Sequence, residues 1–397
     1  MRSWLTRIAG RLVRVIPERL LVRILPGRLR YCVGDTPVAT APNAEIRLLI
    51  APMNFAGQGR RWAQAVTDNV PSAAAANLAV RLNDGFGFEA DTTVDGAPYA
   101  FSTDWNRRQF AACQDFSHVI IEAERHPYGR IYAQSVAGQA RRLADAGVQV
   151  AMLCHGSDIR LPSRHVASEP DSPFAPGLWE LTPTLEHQAR QNRALLDELG
   201  LPTFVSTPGL LDDVPDARWV PVVVDPARWA VATPPLERAV PIVAHAPTNP
   251  IVKGSDLIDP VLKRMHEDGE IEYVRVQGVP SAEMPRVYGN ADIVLDWFRM
   301  GEYGVAACEA LAAGRVVVSH VNERVRERVH AATGFHLPIV QARAAEVADV
   351  IRDILANRDR YRQQAALGPA FVAAVHDGRR SAEALTPFLL SSKGPVR

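Results

Sequence analysis

The chain has 397 residues, 47% of them hydrophobic and 22% charged, with 44 basic and 44 acidic side chains that leave a formal net charge of zero. That length predicts two domains, the composition is that of a globular protein, and the balanced charge gives no basis for a nucleic-acid partner. The 4 cysteines form no C-x-x-C pair, so they read as buried thiols in a reducing, cytoplasmic setting rather than as a zinc site. No apolar run reaches the length of about 18 residues that spanning a membrane requires.

Residues 1–30 break the charge balance, with Arg at 2, 7, 11, 14, 19, 23, 28 and 30 against Glu18 alone. Trp4, Leu5, Ile8, Leu12 and Val15 recur at helical spacing, and Leu20, Leu21, Ile24 and Leu25 form a second cluster after Pro17. A basic amphipathic arm of this kind predicts contact with an anionic membrane surface, the protein lying peripherally on the inner face of the cell membrane. An organellar transit peptide, or an arm packed on its own domain, are the other readings of the pattern.

From residue 46 onward apolar runs alternate with helical patterns. Strands are predicted at 46–51, 118–122, 148–154, 203–206, 219–224, 241–245, 271–277, 292–296 and 315–319, and helices at 130–146, 185–199, 255–266 and 305–313. Such alternation argues an α/β architecture with parallel sheets. Pro226, Pro234 and Pro235 mark a hinge over 224–236, and the glycine-rich stretch 83–103 reads as a long surface excursion.

Four turns carry residues suited to binding. After the 46–51 run comes Asn54-Phe55-Ala56-Gly57-Gln58-Gly59, whose glycines let backbone amides approach a phosphate. Trp62 stands where a dinucleotide fingerprint needs its third glycine, and a plain flexible turn fits as well. The second turn is Cys154-His155-Gly156-Ser157-Asp158-Ile159-Arg160. There His155 is able to donate to a sugar hydroxyl or a departing phosphate, with Asp158 orienting it; the alternative is an Asx-type turn with His155 merely packed. The third, from His245 to Asp256, turns on two prolines into a helix start, where Lys253 and backbone amides can jointly neutralise a diphosphate. A solvated lysine is the competing reading. The fourth, from Gly301 to Gly314, sets Tyr303, Gly304 and Val305 at a helix start, with Glu309 about one to two turns in. An anion on the amides and adjacent hydroxyls on the carboxylate describe the phosphate and ribose of a nucleotide, against a solvated helix carboxylate and ordinary glycine punctuation.

With these turns in register, the chain resembles the metal-independent glycosyltransferases of the GT-B fold, in particular the group 1 glycosyl transferase superfamily, over residues 45–375. The resemblance implies two Rossmann-like domains with parallel sheets facing a central cleft. It places an acceptor domain at 31–225 and a nucleotide-sugar domain at 226–375, between the arm 1–30 and a tail 376–397. It puts Glu309 on the donor ribose and Lys253 on its phosphates. The base is read by the backbone of Gln277-Gly278-Val279, Gly57 to Gly59 form the first domain's glycine loop, and the loop of His155 and Asp158 reaches the transferred sugar. Two positions depart from the pattern. Gly301 stands where the superfamily has its first glutamate, whose role then passes to Glu302 or Asp296 or is absent. Thr248 stands where an arginine is usual, leaving Arg299 or another base to complete the phosphate site.

The expected activity is transfer of a hexosyl group from a nucleotide diphosphate sugar to an acceptor hydroxyl, with retention of configuration as the resemblance implies. His155, Asp158 and Glu302 are the expected catalytic residues. Gly57, Gln58, Gly59, Lys253, Gly278, Val279, Tyr303, Gly304, Val305 and Glu309 are expected to hold the donor. No D-x-D motif is present, so no metal or other cofactor is expected, Lys253 and helix amides taking the place of a divalent ion. A lipid-linked sugar or envelope glycan is the expected acceptor, reached through the arm. A sugar-nucleotide 2-epimerase and a catalytically degenerate GT-B protein acting as a scaffold at the membrane are the alternative readings. An NAD oxidoreductase is a distant one, since no complete phosphate fingerprint exists.

Overall fold

A computed structural model describes residues 16–81, 88–129 and 135–391. Its strands are β1 (Ile46–Ala51), β2 (Ala73–Arg81), β3 (Thr92–Asp95), β4 (His118–Glu122), β5 (Gln149–Cys154), β6 (Thr203–Val205), β7 (Arg218–Trp219), β8 (Ile242–His245), β9 (Glu272–Arg275), β10 (Ile293–Leu295), β11 (Val316–Ser319) and β12 (Val340–Gln341). They form two parallel sheets, ordered β3-β2-β1-β4-β5-β6-β7 and β12-β11-β10-β8-β9. In the first, β1 pairs in parallel with β2 and with β4; in the second, β10 pairs in parallel with β8 and with β11. The central strands β8, β10 and β11 are buried along their whole length, as their apolar and β-branched runs require of a sheet covered on both faces.

By contacts the chain divides into two compact units: Met1–Leu153 with Ala194–Thr203 and Thr386–Arg397, and Cys154–Arg193 with Phe204–Leu385. In the second, Val243, Ile293, Leu295, Val316 and Val318 of the sheet pack on Ile258, Leu262, Ile351 and Ile354 of its helices. In the first, Leu48, Leu49, Ile50, Val119, Ile120 and Ile121 are all fully buried, as is Trp62 on the following helix.

Several elements differ from the sequence-based expectation. β2 reads AAAANLAVR, an alanine-rich run without strand propensity, yet it pairs with β1 over five residues because its neighbours offer a parallel edge. The stretch 83–103 is not an open excursion: residues 82–87 lie outside the described ones, while Thr92–Asp95 forms β3 and Gly96–Phe101 a helix. The strand expected at 219–224 is reduced to Arg218–Trp219, and residues 376–391 are no loose tail, since Arg379–Leu390 is helical. Within 130–146 the helix described is Val136–Asp145, residues 130–134 lying outside the described ones.

The arm divides likewise. Residues 1–15, with the first apolar cluster, lie outside the described ones; Glu18–Ile24 is a helix. Glu18, the only acid of the arm, accepts hydrogen bonds from Ser102 Oγ, from Thr103 Oγ1 at 2.6 Å and from the Asp104 N–H at 2.9 Å, at the start of the helix Thr103–Gln114. Burial alone would raise its pKa, but these donors hold the carboxyl below its ordinary value. Leu21 is buried beneath, whereas Leu20 and Ile24 stay 52% and 66% exposed beside the exposed Arg19 and Arg23. Among the described residues no helix is long and apolar enough to cross a membrane.

Candidate donor site

Open parallel sheets bind ligands at the carboxyl ends of the two strands where the winding direction reverses. In the second sheet those strands are β8 and β10, and the turns that follow them meet. Lys253 closes the short helix Pro250–Lys253 after β8, and its Nζ lies 2.6 Å from Asp296 Oδ1, the residue after β10. Lys253 is 5% exposed and Asp296 is fully buried, so the pair is an interior one. The backbone fixes the same meeting, because the Phe298 N–H donates to the Lys253 carbonyl at 3.2 Å and the Asp296 N–H to Val318 O at 3.1 Å. Gly254 sits at φ +73°, a conformation that L side chains rarely adopt, and a Cβ there would make a tight 3.1 Å contact with Arg299 Cγ. Arg299 thus runs along the Lys253-Gly254 turn, donating to Asp256 Oδ2 at 2.6 Å and to the Asp171 carbonyl at 3.2 Å.

The third component is the helix Val305–Ala312, which starts at Gly304 with no side-chain cap, so its first amides are free for an acceptor. Gly304 permits a close approach, since a Cβ would make a tight 3.2 Å contact with the Trp297 ring. Glu309 lies on this helix, half-buried. Burial first, then the charges of Glu309 and Asp296, push the Tyr288 phenol well above its ordinary pKa, and both carboxylates act on the buried Cys308 thiol in the same sense. Asp296, which pairs with Lys253, and Glu309 therefore act on the same two buried side chains, and Glu309 shares its helix with the start at Gly304. Gly278, at φ +66°, and Val279 follow β9, the neighbour of β8, on an exposed turn with nothing within 4 Å of the Gly278 Cβ position.

Other residues named from the sequence have different surroundings. Glu302 is 1% exposed and has both oxygens engaged, Oε2 by the Gly209 N–H at 2.7 Å and Oε1 by the Tyr303 N–H at 3.2 Å. Burial pushes its pKa up to about 7, against the lowering effect of the nearby Arg160 guanidinium and of those amides. Tyr303 is a core residue, its hydroxyl 3.3 Å from His376 Nε2. Asp158 accepts the His155 N–H at 2.8 Å and the Gly156 N–H, so its carboxylate reaches back to the start of its own loop, whereas an Asx-type turn would take an amide two residues further on. The His155 carbonyl in turn accepts Ser206 Oγ at 3.0 Å. In the first unit Gly59 is a packing glycine: a Cβ would come 2.6 Å from Asn77 Nδ2 and 2.9 Å from the Met53 carbonyl. Gly57 adopts φ +75° with the Phe88 ring beside it, and Gln58 is buried.

One cluster had no sequence signal. Gly301, at φ +61°, faces the Glu169 carboxylate so closely that a Cβ would lie 2.3 Å from Oε1. Glu169 accepts Asn322 Nδ2 at 3.0 Å and pairs with His320 Nε2 at 2.9 Å. Burial would raise the Glu169 pKa, but these two hydrogen bonds bring it below its ordinary value. Gln341 Oε1 accepts the Val321 N–H and Arg326 Nη2, so its Nε2 donates to His320 Nδ1 at 2.8 Å, which leaves the His320 Nε2–H for Glu169. No local motif could announce a glutamate lying 151 residues from its histidine. Among the described residues no three His, Cys, Asp or Glu side chains gather as a metal-binding set.

This architecture has known counterparts. The chain resembles sucrose-phosphate synthase from Thermosynechococcus elongatus at a TM-score of 0.54 and 13% identity, over 85% of this chain and 96% of that one. It resembles HepE of Anabaena, solved with UDP-glucose, at 0.51 and 9% over 85% and 98%, and an alpha-glucosyltransferase solved with UDP at 0.55 and 9% over 87% and 99%. No protein-family model matches the chain, and no curated protein matches it in sequence. At such identities the likeness defines the fold: this is a protein of the GT-B glycosyltransferase fold.

Proposed function

We propose that the protein transfers a sugar from a nucleotide diphosphate sugar to an acceptor hydroxyl, with retention and without a metal. The observation that carries this reading is the crevice between β8 and β10, where a buried ammonium, an uncapped helix start and the half-buried Glu309 stand together. The helix amides and Lys253 meet the diphosphate, and Glu309 accepts the ribose hydroxyls. The exposed backbone at Gly278 and Val279 offers groups to the base. Asp158, Glu302 and the Glu169 cluster hold the surrounding loops in place, which keeps the donor's surroundings preorganised. Support for the donor class comes from UDP-glucose and UDP in the solved structures of two GT-B neighbours.

The deciding experiment is a thermal-shift screen with UDP, GDP, ADP and their sugar conjugates, each with and without EDTA. A shift for one nucleotide series that survives chelation is the expected result; no shift with any of them removes the reading. Glu309→Ala should weaken the responding nucleotide about 10- to 100-fold in calorimetry, the worth of hydrogen bonds to a charged acceptor. Unchanged affinity dismisses the ribose assignment.

The acceptor in this reading is a lipid-linked sugar or envelope glycan at an anionic membrane surface. Leu20 and Ile24 project from the docked helix Glu18–Ile24 between Arg19 and Arg23, an apolar ridge flanked by cations of the kind that seats in a lipid interface. Leu20→Glu with Ile24→Glu should abolish co-sedimentation with phosphatidylserine vesicles while leaving the melting temperature unchanged. Equal sedimentation discards the membrane contact.

A further inference from the structure

The arm and the carboxyl ends of β2 and β3 line a pocket of about 510 Å³, within the roughly 300–1,000 Å³ usual for small-molecule sites. Its arm wall, residues 29–37, is held at both ends. Arg30 donates through Nε to the Leu25 carbonyl at 3.1 Å and through Nη2 to the Arg23 carbonyl at 3.4 Å, which folds the chain back onto the end of the helix Glu18–Ile24. At the other end the Pro37 carbonyl accepts Trp105 Nε1 at 2.7 Å and the Thr36 carbonyl accepts Arg108 Nη2 at 3.0 Å. The opposite wall includes Arg81 and Asp95, the last residues of β2 and β3 and partners in register. Open parallel sheets bind ligands at this end of their strands. A wall fixed by hydrogen bonds leaves little to be ordered when a ligand enters.

The lining is of mixed sign. Arg30 keeps its Nη1 uncommitted, and the Arg81–Asp95 pair is loose, at 3.6 Å with the two side chains 57% and 70% exposed. The exposed Asp35 carboxylate joins no ion pair or hydrogen bond among the described residues, and Thr36 and Thr93 add hydroxyls. Two carboxylates oppose a simple anion, and two guanidiniums oppose a simple cation. A sugar phosphate suits both, its anion meeting the guanidiniums and its hydroxyls donating to the carboxylates. We infer that this pocket binds the sugar-phosphate head of a lipid-linked glycan. The lipid source follows from continuity: the helix to which Arg30 is bonded carries the exposed Leu20 and Ile24, so a chain lying along that ridge brings its head to residues 29–37. The arm wall precedes residue 45, where the resemblance to the group 1 transferases begins, so the site belongs to this chain's own extension. The inference rests on the acceptor half of the reading above and deepens it by giving the lipid-linked sugar a place.

The pocket carries its own reporter. Cys32 lines it and is exposed, whereas Cys113, Cys154 and Cys308 are buried, so alkylation of Cys32 by N-ethylmaleimide in the full-length protein, read by mass spectrometry, follows occupancy. The probes are the 1-phosphates of glucose, galactose, mannose and N-acetylglucosamine, their farnesyl esters in phosphatidylcholine vesicles, the same vesicles alone, and inorganic phosphate. At least one ester should slow the alkylation about 10-fold at saturation, and its free sugar phosphate should need roughly 10- to 100-fold more for the same protection. Bare vesicles and inorganic phosphate should not protect. Protection by none of the sugar phosphates or esters, or equal protection by bare vesicles or by inorganic phosphate, overturns the proposal on the unaltered protein. Asp35→Ala removes a side chain with no partner to lose, so the melting temperature should hold while protection needs about 10-fold more ester. Unchanged protection in that variant overturns the assignment. Leu20→Glu with Ile24→Glu should erase the ester's advantage and leave protection by the free sugar phosphate as it was; a free sugar phosphate already as potent as its ester in the unaltered protein overturns the lipid as the source. No nucleotide enters these measurements, so a failed donor site leaves their outcome unchanged and is told apart from a failure here.

Discussion

Each sheet reverses its winding once, between β1 and β4 in the first and between β8 and β10 in the second, and the two crevices are built differently. In the first, polar side chains turn onto their own backbone. Glu122 Oε2 takes the Met53 N–H at 3.1 Å, and Asn77 Nδ2 reaches the Ile50 and Met53 carbonyls, each at 2.9 Å. Gly59 is pressed against them, so the glycine loop is a packed corner. In the second, an ammonium and a carboxylate face one another and the following helix begins with no side-chain cap; buried side-chain atoms without a partner occur in both, Asn77 Oδ1 in the first and Asp296 Oδ2 and Arg299 Nε in the second. The same topology thus yields one corner where a carboxylate and an amide hold backbone groups, and another where a buried ion pair stands at the strand ends.

Removing one charge from the second crevice should give the largest effect. Lys253→Met leaves Asp296 buried and unpaired and should destabilise the protein by about 3–5 kcal/mol in urea unfolding. Lys253→Met with Asp296→Leu should recover most of that loss. A single variant as stable as the parent would mean that the pair is not interior, and the contrast would collapse.

Next is the pH response of Glu302, whose folded pKa of about 7 stands above its ordinary 4.5. The folded state then binds the proton more tightly, so this group's contribution is fully present below pH 4.5 and is lost as pH rises to 7 and beyond. The loss is on the order of 3 kcal/mol. Four buried histidines, 118, 165, 245 and 376, have pKa values lowered to about 4 chiefly by burial, and they act in the opposite sense, costing stability as pH falls below 6.5. The difference between the stability profiles of the parent and Glu302→Gln isolates the carboxyl. A difference that does not change between pH 5 and 8 would contradict the burial described.

Smallest is Gly59→Ala in the first crevice, where crowding of Asn77 should cost about 1–3 kcal/mol. It should leave nucleotide affinity untouched if the loop is a packed corner. A loss of affinity without a loss of stability would restore the loop as a phosphate cradle and erase the difference between the two crevices.

Much of the architecture was legible in the sequence because it is written in local patterns. Strands at 46–51 and 118–122 coincide with β1 and β4, and the helix starts after Gly254 and Gly304 lie at the glycines that announce them. Parallel strands were legible where β-branched residues dominate, and invisible in the alanines of β2, which become a strand only because β1 pairs with them. Lys253 and Glu309 could be singled out because turn chemistry and helix spacing mark them locally.

The partners could not be read, and they decide what each residue does. Asp296 meets Lys253 across 43 residues, Glu302 meets Gly209 across 93, and Glu18 reaches Ser102 across 84. By itself the sequence determined the alternation of strands and helices, the turns at their ends and the residue types available there, since propensity and periodicity act over a few residues. Only the tertiary structure decided that Glu302 holds a backbone amide, that Asp158 closes its own turn, and that Asp296 is left with one unpaired oxygen. Burial and hydrogen-bond satisfaction are properties of the folded surroundings, and the same carboxylate is a brace or a ligand according to which donors the fold brings to it.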